Sequence, residues 1–142
     1  MVNTIHVDIV SAEGEIFSGP AKMVFLPAAE GELGIAPRHA PLLALLKAGE
    51  VRVQPVEGDE QSFYVGGGAL EVQPAKVTVL ADTAARAADL DEAAALAARQ
   101  RAEEALAGKI DRIEQAEALA ERARAAAQLK LIERLRKIRG GR

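Results

Sequence analysis

The residues that interrupt secondary structure are confined to the first half of the chain, and this constrains the fold more than any other feature. All six prolines precede position 75, nine of the twelve glycines lie at or before Gly68, and all four aromatic residues precede position 65. From Thr83 onward Ala, Leu, Glu and Arg dominate, and Gly108 is the only break before Gly140. Pro and Gly separate short strands, whereas Ala, Leu, Glu and Arg favour helix. The sequence therefore predicts a strand-rich domain at 1–86 and a helical domain at 87–142.

The N-terminal part shows the period-two hydrophobicity of β-strands. Its first run, residues 4–10, places Ile5, Val7 and Ile9 on one face. Further runs occupy residues 22–26, 50–54, 61–65, 69–73 and 76–80, with Gly or Pro in the segments between most of them. Short strands at this spacing, with no long helical pattern between them, predict an antiparallel β-sandwich or barrel. Segment 57–60 predicts a hairpin tip, and the glycine run 66–68 predicts a strand-to-strand turn or bulge.

The C-terminal part carries the start and stop signals of two helices. Asp89 and Asp111 each precede a Glu by three residues, which is an acidic variant of the capping box. Gly108 is expected to end the first helix in the left-handed conformation, and the second helix is expected to end at Gly140. Two helices joined by three or four residues form an antiparallel hairpin. The predicted fold class is α+β, a β-sandwich or barrel followed by an α-helical hairpin.

The predicted contact faces of these helices consist mostly of alanine. They are Leu90, Ala94, Ala98, Ala102, Ala105 and Leu106 in the first helix, and Ile113, Ala116, Ala120, Ala123, Ala127, Leu131, Leu135 and Ile138 in the second. Each buried alanine removes much less apolar surface from water than a leucine does, so burial stabilises the pair weakly. We therefore expect a hairpin that can open.

Composition and charge exclude several classes of protein. The chain has 142 residues, 49% apolar and 27% charged, with no Cys and a net charge of -3. This is too apolar for a disordered chain, and the absence of Cys excludes disulfides and thiolate metal sites. No apolar run approaches the ~20 residues of a membrane span, and the first ten residues lack the pattern of a signal peptide. The overall acidity argues against a nucleic-acid partner.

The charge is divided along the chain as sharply as the composition. Residues 1–84 carry a net charge of -6 and residues 89–121 a net charge of -5, whereas residues 122–142 carry +7. The basic C-terminal segment is expected to seek an acidic surface.

The sequence offers no group of residues with the spacing of a catalytic or metal site. Neither His6 nor His39 has a second ligand at a suitable spacing, and the serines have no His at a motif spacing. Glu30 and Glu32 form a close acidic pair in an expected exposed turn, where a polar contact to a partner is favoured over acid–base catalysis. No catalytic residue, metal or cofactor is predicted.

Two segments resemble the epsilon subunit of bacterial F-type ATP synthases. Residues 30–35 read Glu-Gly-Glu-Leu-Gly-Ile and are followed by Pro37 and by His-Ala-Pro-Leu-Leu at 39–43. The second segment contains Gly67 and Gly68, then Leu-Glu-Val at 70–72 and Val-Thr-Val-Leu-Ala-Asp at 77–82. Residues 7–19 and 89–93 are also similar. The likeness extends in order over nearly the whole chain.

The resemblance implies a non-catalytic rotor subunit of the proton-translocating enzyme, peripheral to the cytoplasmic face of the bacterial inner membrane through the complex. The sandwich would bind the gamma subunit and the ring of c subunits, with the ring contact made by Glu30, Glu32 and His39. The hairpin would inhibit ATP hydrolysis when it extends, because its second helix would then face an acidic loop of the beta subunit. The basic residues implied in that contact are Arg122, Arg124, Lys130, Arg134, Arg136 and Lys137.

One departure from the family concerns nucleotide binding. Some members bind ATP on the folded hairpin through Ile/Leu-Asp-x-x-Arg-Ala, and here Leu90 and Asp91 are followed by Ala94 where the Arg would stand. An Arg would supply a charge-assisted bond, so ATP is not expected as a physiological ligand. Two alternatives remain open on the residues alone: a generic sandwich-plus-hairpin interaction module of another complex, and a small hydrolase or sugar-binding sandwich.

Overall fold

Within residues 3–140, the part of the chain that the computed structural model describes, eight β-strands precede two α-helices. The strands are β1 (Ile5–Ser11), β2 (Gly14–Ala21), β3 (Met23–Ala28), β4 (Gly31–Ile35), β5 (Leu42–Gln54), β6 (Gln61–Gln73), β7 (Lys76–Ala81) and β8 (Ala84–Arg86). A 3₁₀ turn covers Ala87–Asp89, and the helices are α1 (Glu92–Ala107) and α2 (Arg112–Gly140). The chain divides into two units, Met1–Ala87 and Ala88–Arg142.

The strands form one sheet in the order β2-β1-β7-β6-β5-β3-β4, and β8 pairs with β6 beside this path. Neighbours are antiparallel apart from β1 and β7, which are parallel. The sheet folds over a single core whose side chains come from most of the strands, among them Ile5, Leu26, Val53, Phe63 and Val79. Together with the helices of the second unit, this confirms the predicted sandwich followed by a hairpin.

The glycine run 66–68 lies inside a strand, so the predicted turn or bulge is wrong. The predicted runs 61–65 and 69–73 are the two halves of β6. The register with β5 is the same on both sides of the run, since Ala48 pairs with Gly66 and Leu46 with Gly68. Gly67 and Gly68 have φ of 100° and 138°, which L side chains rarely adopt. These glycines let β6 bend while it stays paired with β5. On its other side, β6 pairs first with β8 and then, from Gly68 onward, with β7.

Besides the three-residue β8, the alternation pattern missed three strand segments. Strand β2 contains Pro20, which is tolerated because β2 lies at an edge of the sheet and needs no second partner. Strand β4 lies at the other edge and begins at Gly31. In the first half of β5 the outward residues Leu43 and Leu45 are as apolar as the inward ones, so no alternation is visible. The hairpin tip at 57–60 does join β5 to β6, as predicted.

In the second unit, aspartates cap both helices. The Asp91 carboxylate accepts a hydrogen bond from the Ala94 N–H at 3.1 Å, so Asp91, and not the predicted Asp89, is the N-cap of α1. Asp89 lies in the 3₁₀ turn. Asp111 caps α2 as predicted, by accepting from the Glu114 N–H at 2.8 Å. Gly108 ends α1 with φ of -92° and ψ of -178°, which is extended and not left-handed as predicted.

The helices form the predicted antiparallel hairpin. Ion pairs join Glu92 at the start of α1 to Arg136 near the end of α2, and Arg101 to Glu121. The buried helical residues are Ala95, Ala102, Ala118, Ala125 and Leu131. The predicted face of α2 is wrong over its first half and at its end, because Ile113 is 72% exposed and Ile138 57% exposed. Alanines occur on several sides of each helix, so the spacing alone did not select the buried side.

Candidate partner-binding surfaces

The acidic turn predicted to contact a partner joins two strands of the sandwich. Ala29 and Glu30 form a two-residue turn, and Gly31, with φ of 139°, pairs with Ala28 across the hairpin of β3 and β4. Glu30 is exposed at the tip. Glu32 lies in β4 opposite Pro27. It is therefore a strand residue, and the expectation that it belongs to the turn is wrong.

Glu32 is held by an arginine that sequence reasoning did not single out. The Nη2 atom of Arg52 lies 3.1 Å and 3.2 Å from the two carboxylate oxygens of Glu32. The Arg52 guanidinium also covers the ring of Phe25 at 4.4 Å from its centroid. Its Nη1 atom lies 3.7 Å from Glu60. The signal that could have found this group is strand pairing, since Phe25 stands directly opposite Arg52.

An exposed apolar row crosses the outer face of the sheet beside this turn. In register across β5, β6, β7 and β1, Leu45 pairs with Ala69, Ala69 with Leu80, and Leu80 with Val10. Leu43 and Leu45 are 77% and 70% exposed. An open groove of about 590 Å³ runs between the segments 28–33 and 42–45, so the acidic turn and the exposed leucines border the same space. Contiguous exposed leucines of this kind are typical of a protein–protein contact.

His39 lies in the loop between β4 and β5. Its Nδ1 atom is 2.7 Å from the Ala40 carbonyl oxygen. The preceding Arg38 has φ of 67°, and its N–H donates to the Pro74 carbonyl at 2.9 Å. Across residues 3–140 we find no hydrogen bond or ion pair that joins His39 to Glu30 or Glu32. The structure therefore places Glu30 and Glu32 together on the β3–β4 hairpin, whereas His39 lies in a different loop and is not bonded to either of them.

The predicted basic residues of the hairpin all lie on α2, and two of them have identified acidic partners within the hairpin. The Arg136 Nη2 atom is 2.7 Å from the Glu92 carboxylate, and the Lys137 Nζ atom is 3.4 Å from Glu133 one turn earlier. Arg122 and Lys130 are exposed. Arg124 and Arg134 are half-buried. The basic side chains are thus spread around the helix.

The segment at the predicted degenerate nucleotide motif starts a helix. Leu90 follows the 3₁₀ turn in the chain and precedes α1, and its side chain is half-buried. The Asp91 carboxylate is occupied as the N-cap of α1. The absence of an ATP ligand stays a prediction.

Four polar residues form a cluster that the sequence did not predict. The Asp8 Oδ1 atom accepts a hydrogen bond from the Ser18 hydroxyl at 2.6 Å and lies 2.8 Å from His6 Nε2. The Asp8 Oδ2 atom is 3.0 Å from Lys76 Nζ. The Ser18 hydrogen bond is the main cause that lowers the pKa of Asp8 to about 2, assisted by Lys76 and His6 and opposed by burial.

This cluster is not a nucleophilic triad, although it contains Ser, His and Asp. The Ser18 hydroxyl donates to the carboxylate, and the same ring nitrogen of His6 faces both Ser18 and Asp8. In a triad the serine and the acid contact opposite nitrogens of the imidazole. The group ties together β1, β2 and β7. Strand pairing could have revealed it, because Asp8 stands opposite Ser18 and His6 stands opposite Lys76.

Among residues 3–140, His, Asp and Glu side chains do not come together in groups of three or more that could hold a metal ion. In the same part of the chain, neither α1 nor α2 is at once long enough and apolar enough to cross a membrane.

Models of known families cover both units. The model described as the ATP synthase delta/epsilon chain beta-sandwich domain matches residues 4–87. The model of the delta/epsilon chain long alpha-helix domain matches residues 88–133. The fold and the two matches define the class as ATP synthase delta/epsilon-type subunits.

Curated relatives narrow this class. The chain is 65% identical over 137 residues to the ATP synthase epsilon chain of Nitrosococcus oceani, covering 96% of this chain and 98% of the relative. It is 62% identical over 136 residues to the ATP synthase epsilon chain of Alkalilimnicola ehrlichii, covering 96% and 97%. The chain belongs to the ATP synthase epsilon chain family. This confirms the family resemblance that the sequence motifs indicated, and with it the prediction of a non-catalytic subunit. The two alternatives, an interaction module of another complex and a hydrolase or sugar-binding sandwich, are not supported.

Solved structures share the fold at low sequence identity. One is the mitochondrial ATP synthase of Euglena gracilis with OSCP, F1 and c-ring, where the TM-score is 0.68 at 19% identity over 95% of this chain and 81% of that chain. Another is the central stalk and c-ring of the Tetrahymena thermophila mitochondrial enzyme, with a TM-score of 0.64 at 13% identity over 90% and 96%.

Proposed function

We propose that the sandwich of this chain joins the central stalk of a rotary ATP synthase to its membrane sector, by binding the gamma subunit and the ring of c subunits. The observation that carries the proposal is the exposed row of Leu45, Leu80 and their neighbours beside the acidic turn. An apolar face of this kind suits a lasting protein contact, and the acids beside it add polar specificity. The similar folds come from assemblies described as F1/c-ring and central stalk/c-ring complexes.

Within this role, Glu30, Glu32 and His39 are the candidate contacts to the c ring. Glu30 is exposed at the tip of the β3–β4 turn, and the Glu32 side chain remains 57% exposed although Arg52 binds it. A carboxylate has lone pairs left after one such pairing, so Glu32 can accept further hydrogen bonds from a polar loop.

The hairpin is the candidate inhibitory part. Its buried residues are mainly alanine, so separating α1 from α2 removes little apolar contact. In the extended arrangement α2 enters the catalytic head and its basic residues face an acidic loop of the beta subunit. Two arrangements within a few kcal/mol of each other are what such a switch requires.

This role also sets the location and ligands that we propose. The chain is peripheral to the cytoplasmic face of the bacterial inner membrane, held there by the complex. ATP is not a ligand of the hairpin, because Ala94 cannot supply the guanidinium of the family motif. Nucleic acid is not a partner.

The experiment compares the full chain with a chain that ends at residue 87, each reconstituted with the ATP synthase lacking epsilon. The core of the sandwich lies wholly within the first unit, so the short chain should fold, bind gamma and restore coupled ATP synthesis. ATP hydrolysis should be faster than with the full chain. Loss of coupling equal to that without any epsilon would contradict the role of the sandwich. Unchanged hydrolysis would contradict the role of the hairpin.

A further inference from the structure

A second polar cluster on the surface of the sandwich centres on Arg52. Its guanidinium contacts Glu32 through Nη2 and Glu60 through Nη1, and Glu60 in turn accepts a hydrogen bond from Gln54 at 3.2 Å. The Arg52 side chain is only 26% exposed, less than its partner Glu32. An arginine enclosed on several sides has a defined position, and so has the carboxylate bound to it.

The strand order explains how Arg52 reaches Glu32. Arg52 lies on β5 and Glu32 on β4, with β3 between them. The Phe25 ring on β3 supports the guanidinium, which crosses the ring face at 4.4 Å from the centroid. Cations bind the face of an aromatic ring, and the planar guanidinium does so while keeping its N–H groups free at the edge.

A glycine on β4 makes room for this arrangement. Gly34 pairs with Phe25, and a Cβ at this position would lie 3.2 Å from the Phe25 ring and 2.8 Å from Met23 Cε. A side chain at Gly34 would therefore require Met23 to move and would press on the Phe25 ring that supports the guanidinium. Gly34, Phe25, Arg52 and Glu32 thus form one ordered set across three strands.

We propose that Arg52 is a positioning residue for the c-ring contact: supported on Phe25, it fixes the Glu32 carboxylate at the edge of the sheet for its partner. This inference rests on the proposed function of Glu32 as a ring contact. Without Arg52, Glu32 is a freely rotating side chain on an edge strand, and the ordering of that side chain must then occur on binding. Arg52 itself acts through Glu32 and not through a contact of its own.

The test measures the dissociation constant of the full chain for membrane vesicles that carry the ATP synthase depleted of epsilon. The variants are Glu32→Gln, Arg52→Gln, Arg52→Lys and the double variant Glu32→Gln/Arg52→Gln. We expect each of Glu32→Gln and Arg52→Gln to weaken binding about fivefold or more, and the double variant to be no weaker than Glu32→Gln alone. Arg52→Lys should lie between wild type and Arg52→Gln, because lysine keeps the charge but not the flat guanidinium.

Glu60→Gln is the matched control, because it removes the other acid beside Arg52 without touching Glu32. It should bind within about twofold of wild type. Thermal unfolding of each variant separates folding from binding, since a partly exposed ion pair contributes little to stability.

The outcomes separate this inference from the proposed function. If Glu32→Gln binds as wild type, Glu32 is not a contact, and both ideas are overturned. If Glu32→Gln weakens binding but Arg52→Gln does not, Glu32 is a contact that needs no positioning. If the two losses add in the double variant, Arg52 acts independently of Glu32, which also overturns the inference.

Discussion

The guanidinium of Arg136, near the end of α2, lies 2.7 Å from the carboxylate of Glu92, at the start of α1. This ion pair closes the open end of the hairpin, opposite the loop at residues 108–111. Arg136 is also one of the basic residues proposed to face the beta subunit. Under that proposal one side chain would serve both arrangements, and Glu92 would compete for it with the acidic surface of the partner.

We predict that Glu92→Gln strengthens the inhibition of ATP hydrolysis. The substitution removes the partner of Arg136 in the closed hairpin and leaves the residues of α2 intact, so it favours the extended arrangement. Both side chains are partly exposed, so the shift should be no more than about 1 kcal/mol, or roughly fivefold in the ratio of the two arrangements. The rate of ATP hydrolysis by the reconstituted complex measures this shift.

The control for this prediction is Glu104→Gln. Glu104 also lies on α1, but its hydrogen bond is to Gln100 of the same helix. Glu104→Gln should therefore leave the rate of ATP hydrolysis unchanged. Equal rates for Glu92→Gln and wild type would mean that the Arg136 pair does not affect hairpin opening.

A second prediction concerns the charge of α2. Changing Arg122, Lys130, Arg134 and Lys137 together to Ala should speed ATP hydrolysis by the reconstituted complex, while synthesis and gamma binding change little. Several charge pairs in a partly dehydrated cavity can decide a balance of a few kcal/mol. Added salt should reproduce the effect only in part, because buried pairs are screened less than exposed ones. Should the variant hydrolyse no faster than wild type while hairpin deletion does, inhibition is steric and the charges only keep the helix soluble.

A third prediction concerns the bend in β6. Gly68 has φ of 138°, and a Cβ there would collide with the Leu80 carbonyl oxygen and lie 2.9 Å from Ala81 Cα. Gly68→Ala should lower the free energy of unfolding by about 3 kcal/mol or more, because both neighbours are backbone atoms that cannot rotate away. Urea denaturation of the isolated chain measures this loss.

Gly31→Ala is the matched variant for the bend. Gly31 has almost the same φ, 139°, but a Cβ there meets nothing within 4 Å. It should cost only the backbone strain, about 1–2 kcal/mol. Equal losses for the two variants would show that the close contact at Gly68 adds nothing.

A fourth prediction concerns acid stability. The pKa of Asp8 is lowered from 3.8 to about 2, chiefly by the Ser18 hydroxyl. A group with a depressed pKa stabilises the folded state above its unfolded pKa, and this contribution is lost as the pH falls from 3.8 toward 2. Ser18→Ala should raise the pKa of Asp8 and destabilise the protein by about 1 kcal/mol at neutral pH.

The same reasoning fixes how the effect of Ser18→Ala depends on pH. The difference in unfolding free energy from wild type should shrink as Asp8 becomes protonated, so it should be smallest near pH 2. Carbon NMR titration of the Asp8 carboxyl group checks the pKa directly. A difference that stays constant down to that pH would assign the loss to packing alone.

The sequence predicted the division into two parts because the residues that set it act locally. The prolines before position 75 cannot lie within long helices, and the Ala-rich segment after Thr83 has the propensity and the Asp111 cap of a helix. The motifs around Glu30 and Gly67 were also sufficient to indicate the family. These features depend on neighbours in the chain and not on distant contacts.

The tertiary structure decided what depends on which strands and helices meet. Leu43 and Leu45 were placed on the outer face only by the register of β5 with β6. Ile113 is exposed because the packing of α1 on α2 selected one of several alanine-rich sides.

The polar clusters were decided in the same way. Arg52 reaches Glu32 across β3, and Ser18 reaches Asp8 across a strand pair, although neither pair is close in sequence. The physical reason is that local propensity and periodicity act over a few residues, whereas a surface or a hydrogen-bonded cluster is assembled from strands that only the folded sheet brings together.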